Sequence, residues 1–366
     1  LGIDVIYMTP SFKSDSCHKY DTIDYYQIDP SFGTTEDLRE LVQEAHKRGM
    51  KIVMDAVFNH TGREFFAFED IMEKGEKSKY LDWYYGGMPK LNLKNPEVEK
   101  FITDVACYWI KECNIDGWRM DVGDEISHYF WKNFRRAVKA VKKDMLIIGE
   151  IWHYAGDFLE GDEWDTVMNY PFYLNLIDLL ADEKIQVSQF IQNLGYLKGR
   201  LNKKCYPLMW NLIDSHDTAR FLHLCNDNKK KQHLAAAFQL LLPGMPMIYY
   251  GDEYAMPGAN DPDCRRGMYW DEEYQDKEMY EWYKRLIQVR KSHACIVEGE
   301  LAGIVTEDEE GTIVLLRKNR EDTIAMIFNC SSSAKKFNEY TQKYNLLTEN
   351  TFDGNVEGFD AAVIVL

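Results

Sequence analysis

The sequence has no hydrophobic run long enough to cross a bilayer. Its most apolar stretch, 235–250, is broken by Gln239, Pro243, Gly244 and Pro246, so a spanning helix is excluded there. Basic charge is in deficit. Lys and Arg number 43 against 60 Asp and Glu, a net charge of −17. A chain this acidic repels phosphate backbones and anionic lipid, which sets nucleic-acid and membrane-surface roles aside. Patterned cysteine is missing too. The eight cysteines are scattered over 17, 107, 113, 205, 225, 264, 295 and 330, with no C-x-x-C pair. That disfavours zinc-ribbon and disulfide frameworks and points to reduced thiols in the cytoplasm. No internal repeat or low-complexity segment stands out.

What is present fits a large α/β protein. The 366 residues are 45% hydrophobic, enough for a barrel with a small appendage. Short β-branched runs bounded by turn residues predict strands over 5–9, 51–56, 117–121, 146–149, 166–168, 208–213 and 247–250. Helical spacing fits 35–48, where Leu38, Leu41, Val42 and Ala45 share a face and Gly49 stops the helix. Further helices are expected over 96–112, 127–142, 229–242 and 277–293, the first of these opening on Pro96. Strand–helix alternation reads as a parallel α/β fold. Seven strands are visible where a (β/α)8 TIM barrel needs eight. A first strand and helix upstream of Leu1 are therefore expected, with an open seven-stranded sheet as the alternative. From about 294 the helix signal stops and antiparallel strands such as 312–317 and 323–328 are expected. The domains predicted are a barrel over 1–293, with an excursion at about 61–95, and a C-terminal β domain over 294–366.

A parallel barrel gathers its active site at the carboxyl ends of the strands. Here those ends carry acids: Asp121 in GWRMDV, Glu150 in IIGEIW, Asp217 in NLIDSHD, and Asp55 in DAVFNH, which runs on to His60. Each alone has an ordinary structural reading. Asp217 could cap a helix, Asp55 could bind loop amides, and His60 could be a core histidine. Jointly those readings weaken, because independent caps need not converge on one rim. Arg119 and Asp121 point to the same face of their strand, and a guanidinium beside a carboxylate keeps it ionised. Retaining glycosidases need such a set, with two carboxyls roughly 5 Å apart, one an acid and one a nucleophile.

Four blocks, DAVFNH (55–60), GWRMDVGDE (117–125), GEIW (149–152) and NLIDSHD (211–217), together with HKYDT near residue 20 and MPKLN at 88–92, resemble the α-amylase superfamily, glycoside hydrolase family 13. MPKLN is similar to the neopullulanase, cyclomaltodextrinase and maltogenic amylase subgroup. The resemblance implies a (β/α)8 barrel with a C-terminal antiparallel β-sandwich. It implies that Asp121 is the nucleophile, Glu150 the acid and then base, and that Asp217 hydrogen-bonds sugar hydroxyls. Arg119 would hold Asp121, His60 and His216 would bind the sugar in the cleaved-ring subsite, and Tyr20 would be its stacking platform. Asp261 and Arg265 would grip a sugar toward the non-reducing side, with Glu125 and Trp152 on the leaving-group side. The implied reaction is retaining hydrolysis of α-1,4-glucosidic bonds, with some α-1,6 tolerance and transglycosylation, in cyclodextrins, maltooligosaccharides, pullulan or starch. An oligo-1,6-glucosidase or glucanotransferase, and a non-catalytic amylase-like ancillary protein, are the alternatives. No cofactor is expected to be required. A structural Ca2+ is allowed for at Asn59, where many amylases bind one. Homodimerisation through an N-terminal domain, absent from these residues, is also allowed for. The segment after His60 is short for the subgroup, so missing residues or a tight bypass are expected near 83–88.

Overall fold

The computed structural model describes residues 1–74, 77–85 and 88–366. The expected break or bypass near 83–88 turns on residues 86–87, which lie outside the described residues. Strands Val5–Met8, Lys51–Ala56, Gly117–Met120, Leu146–Gly149 and Thr166–Val167 form one sheet in chain order. Each neighbouring pair in it is parallel. Trp210–Leu212 and Met245–Met247 form a second parallel ladder. With intervening helices, these seven parallel strands follow the order of a (β/α)8 barrel.

The helices begin where their caps dictate. Thr34 and Asp37 make a reciprocal capping box ahead of Thr35–Lys47. Asn95 accepts from the Glu97 amide ahead of Pro96–Cys113, and Asn114 ends that helix in the left-handed region at φ 59°. The face it buries carries Trp109, stacked on Phe12 at 5.5 Å. The Trp109 indole N–H donates to the Tyr25 carbonyl at 2.8 Å. Tyr25 in turn donates its hydroxyl to the carbonyls of Val57, at 3.0 Å, and His60, at 2.8 Å. A buried aromatic stack thereby fixes the backbone that presents His60.

Several elements differ from expectation. The last parallel strand is Met245–Met247 rather than 247–250. Its pairing starts when the Met245 amide reaches the Met209 carbonyl at 2.7 Å, and Pro246 is accommodated because the ladder runs along one edge. Asp121 follows its strand rather than ending it. The hairpin Phe12–Ser14 with Thr22–Ile28 and the helices Tyr170–Leu176 and Val187–Arg200 were not expected. The last of these contains Gly195 and Gly199, which lower helix propensity, and is held by buried Phe190 and Leu197. A one-turn helix, Cys295–Glu298, precedes the C-terminal strands.

The chain divides into two compact units, one of Ile3–Ile151 and Ala155–Met168, the other of Leu1–Gly2, Trp152–Tyr154 and Asn169–Leu366. These boundaries lie inside the strand–helix region rather than at 293/294. In the second unit an antiparallel six-stranded sheet is built on Glu300–Glu307, Thr312–Lys318, Thr323–Asn329 and Asp360–Val365. One face packs Val314, Ala325, Ile327 and Ile364 against Phe337, Phe352 and Val356. The other puts Phe328 on Phe238 of helix Lys229–Leu241, with ring centroids 4.3 Å apart. Both faces are therefore core, and the strands read as near-continuous apolar runs.

Candidate active site

In the first unit the site is organised by one guanidinium. Arg119 is 0% exposed. Strand register puts it directly beside Asp55, and strand alternation turns Asp121 to the same side. One terminal nitrogen donates to Asp55 at 3.0 and 3.2 Å and to Asp121 at 2.9 Å. The other lies 2.7 Å from Glu150 Oε1. Nε points at the Met168 sulfur, 3.5 Å away. Burial pulls the guanidinium down, but the charges of Asp55, Tyr7 and Glu150 more than reverse this and hold it well above its usual value. The Tyr7 hydroxyl donates to Asp55 at 2.6 Å and that of Tyr20 at 3.3 Å. Burial, then the Asp55 charge, raises both phenols. His60 Nε2 lies 3.8 Å from Asp121 Oδ2. Burial lowers the His60 imidazole to about 4, so it is neutral at pH 7.

Glu150 is set by its own backbone. Its Oε2 accepts from the Val122 amide at 2.9 Å. Val122 sits in the left-handed region at φ 46° and ψ 43°, a strained place for a β-branched residue. That strain aims the amide behind Asp121 at Glu150. Gly149 precedes Glu150 because the Trp164 ring lies on it; a Cβ there would stand 2.1 Å from Trp164. Trp164 is stacked on Phe158 at 4.0 Å, and Phe158 on His128 at 4.3 Å.

The second unit carries the other predicted residues. Asp217 is the exposed member of an otherwise buried stretch, 211–222. Its Oδ2 is 3.1 Å from His216 Nε2 and its Oδ1 is 3.4 Å from an Arg265 nitrogen. Arg265 Nε also reaches the His216 carbonyl at 2.9 Å and Asp261 at 2.7 Å. The Asp217 amide donates to Ser215 Oγ at 3.1 Å, which lies 3.4 Å from the Tyr170 hydroxyl. Trp152 stacks on Tyr170 at 3.9 Å and is 42% exposed, leaving its ring open to a ligand. Asp217 is not a helix cap, since that helix starts after Arg220.

Tyr20, His60, Arg119, Asp121 and Glu150 thus gather in one unit, and Trp152, His216, Asp217, Asp261 and Arg265 in the other. Glu125 is held by Lys90, which is β-bridged to His60: its side chain accepts from Lys90 at 3.2 Å, and Lys90 also holds its carbonyl at 2.7 Å. Sequence reasoning missed Tyr7 and Met168, and left Asp55 out of the site. Their signal was position alone, since all three stand at or just after the carboxyl end of a parallel strand. At Asn59, where a structural calcium is allowed for, the ion would need about six to eight oxygens. Asn59 Oδ1 is buried, with no hydrogen-bond partner among the described residues. Among the described residues no cluster of His, Cys, Asp or Glu could hold a metal.

Comparison with known proteins gives the family. The family profile described as alpha amylase, catalytic domain, matches residues 1–87 and 85–275. The chain belongs to that family. It is 44% identical over 370 residues to the cyclomaltodextrinase of Thermoanaerobacter pseudethanolicus, covering 95% of this chain and 64% of that one. It is 43% identical over 350 residues to neopullulanase 2 of Thermoactinomyces vulgaris, covering 90% and 60%. A solved cyclomaltodextrinase superposes with a TM-score of 0.93 at 37% identity, covering 99% of this chain and 68% of that one. The chain spans less than two thirds of the length of these curated relatives, at 64% and 60%.

Proposed function

We propose that the protein hydrolyses α-1,4-glucosidic bonds with retention of configuration, acting on cyclodextrins, maltooligosaccharides, pullulan or starch. The observation that carries this is the pair of carboxyls, Asp121 and Glu150, bound to one buried guanidinium at adjacent strand ends. Asp121 attacks the anomeric carbon while Glu150 protonates the bridging oxygen, giving a β-glucosyl ester on Asp121. Glu150 then takes a proton from water, which releases the sugar in the α configuration. A second sugar arriving before water gives transglycosylation. Both Glu150 oxygens now face donors, Arg119 and the Val122 amide. Delivering a proton requires exchanging one of these contacts for the glycosidic oxygen.

The remaining roles follow the family resemblance. Asp217 and His216 hydrogen-bond sugar hydroxyls, with His60 as a neutral partner. Tyr20 is a stacking platform, Asp261 and Arg265 grip a further sugar, and Trp152 and Glu125 serve the leaving-group side. The chemistry needs no cofactor. The protein acts in the cytoplasm, a reading supported by the absence of disulfides among the described residues. No described helix is long and apolar enough to cross a membrane. Parallel digestion of β-cyclodextrin, pullulan and soluble starch, with Asp121→Asn as control, tests the assignment. Rapid cyclodextrin opening is expected, with trisaccharides that keep the α-1,6 bond rather than maltotriose from pullulan. The variant should lose roughly 10^4-fold or more in turnover, and unchanged turnover would reject Asp121 as nucleophile.

A further inference from the structure

The loop that presents His216 and Asp217 is fastened from below by acids the mechanism does not use. Asp214 is 1% exposed, and its Oδ1 accepts from the Phe221 amide, tying together the two ends of the loop. Its Oδ2 is also buried, with no N–H or O–H donor among the described residues. The Asp252 carboxyl group, which is 0% exposed, lies within hydrogen-bonding reach of the Asp214 carboxyl. Asp252 accepts from Arg220 at 3.0 Å and from the Tyr249 amide at 3.2 Å. Arg220 is itself the last residue before the helix that closes the loop. Carboxylate oxygens only accept, so two of them hydrogen-bond only with a proton between them. Two carboxylates and one guanidinium leave a buried negative charge; one added proton brings the cluster to neutrality.

We propose that Asp214 is a positioning residue for Asp217: it donates a retained proton to Asp252, and this hydrogen bond holds the 214–221 loop in its working shape. Other groups facing the pair are Arg220, Glu253, Tyr173, Tyr283 and Cys225. Burial, then the Asp252 charge, raises the Asp214 carboxyl well above the usual range, and burial raises Asp252 to about 6. The sign is fixed by linkage. The folded protein keeps a proton that the unfolded chain releases above about pH 4, so stability falls as pH rises toward the folded value.

Asp214→Asn is the direct test, because its amide can donate to Asp252 and its carbonyl can accept from Phe221 without a titrating proton. Its turnover of maltotriose below neutral pH is expected within about threefold of the parent, with the alkaline limb moved to higher pH. Its melting temperature should gain on the parent as pH is raised from about 5 to about 8. Asp214→Ala should lose about tenfold or more in kcat with a smaller change in KM. A shared alkaline limb and a constant melting difference would overturn the retained proton. Parent-like kcat for Asp214→Ala would overturn the positioning role. Only the kcat arms rest on the proposed hydrolase activity; the melts stand without it. Infrared spectra of the parent with 13C-labelled aspartate decide the point should Asp214→Asn not fold. A protonated-carboxyl C=O band at neutral pH supports the proposal, and its absence overturns it.

Discussion

At the scale of the residue, Arg119 carries the account. Its two terminal nitrogens face Asp55, Asp121 and Glu150. A lysine offers a point charge on a flexible stem and cannot reproduce that fork. Arg119→Lys is expected to lower kcat/KM by about 10^3-fold, and to destabilise by about 3–5 kcal/mol if a buried carboxylate is left unpaired. Chemical denaturation and maltotriose kinetics check both; a loss below tenfold would contradict the role. Tyr7→Phe removes one donor from buried Asp55 and should cost about 1–3 kcal/mol. His60 gives a pH prediction. Its folded value, about 4, lies below the unfolded value of about 6.5, so the folded state resists protonation and stability falls as pH drops through that window. Its ring-proton NMR titration should show a midpoint near the lower value, and a midpoint near the upper one would contradict its burial.

At the scale of the element, Gly149 shows how packing sets the Glu150 side chain. Its missing Cβ makes room for Trp164, which would otherwise be 2.1 Å away. Gly149→Ala should push the Trp164 ring off the strand, costing about 1–3 kcal/mol from overpacking, and should reduce kcat more than KM by shifting Glu150. A melting temperature and kcat equal to the parent would show that the ring adapts freely. The strands that end at these residues were legible because β-branched runs, turn residues and terminal acids recur in one frame. Their partners were not. Asp55 faces Arg119 through a register 64 positions apart in sequence, which no local pattern encodes. Tyr7 looked like any other of the 23 tyrosines. The strand at Met245–Met247 was misplaced because the run that follows it is equally apolar, and only pairing to Trp210–Leu212 separates the two.

At the scale of the whole molecule, parallel strands carry the acids and the C-terminal strands form an antiparallel sheet. The change in pattern after residue 294 was legible; the burial of both sheet faces was not, because it depends on the helix Lys229–Leu241. The net charge of −17 has a consequence for substrate choice. Neutral glucans feel no long-range field, so kcat/KM for maltotriose should change by less than about twofold between low and high salt. A phosphorylated maltooligosaccharide should be slower, with the gap closing as salt rises. Equal rates for the two at low salt would contradict this. The central claim, covalent catalysis by Asp121, is tested most directly by trapping. Incubating the protein with a 5-fluoro-α-glucosyl fluoride should slow release of the glycosyl enzyme, and peptide mass spectrometry should locate one sugar. The account predicts the label on Asp121 and its loss in Asp121→Asn; a label on Glu150 or another acid, or a first product of β configuration, would contradict it.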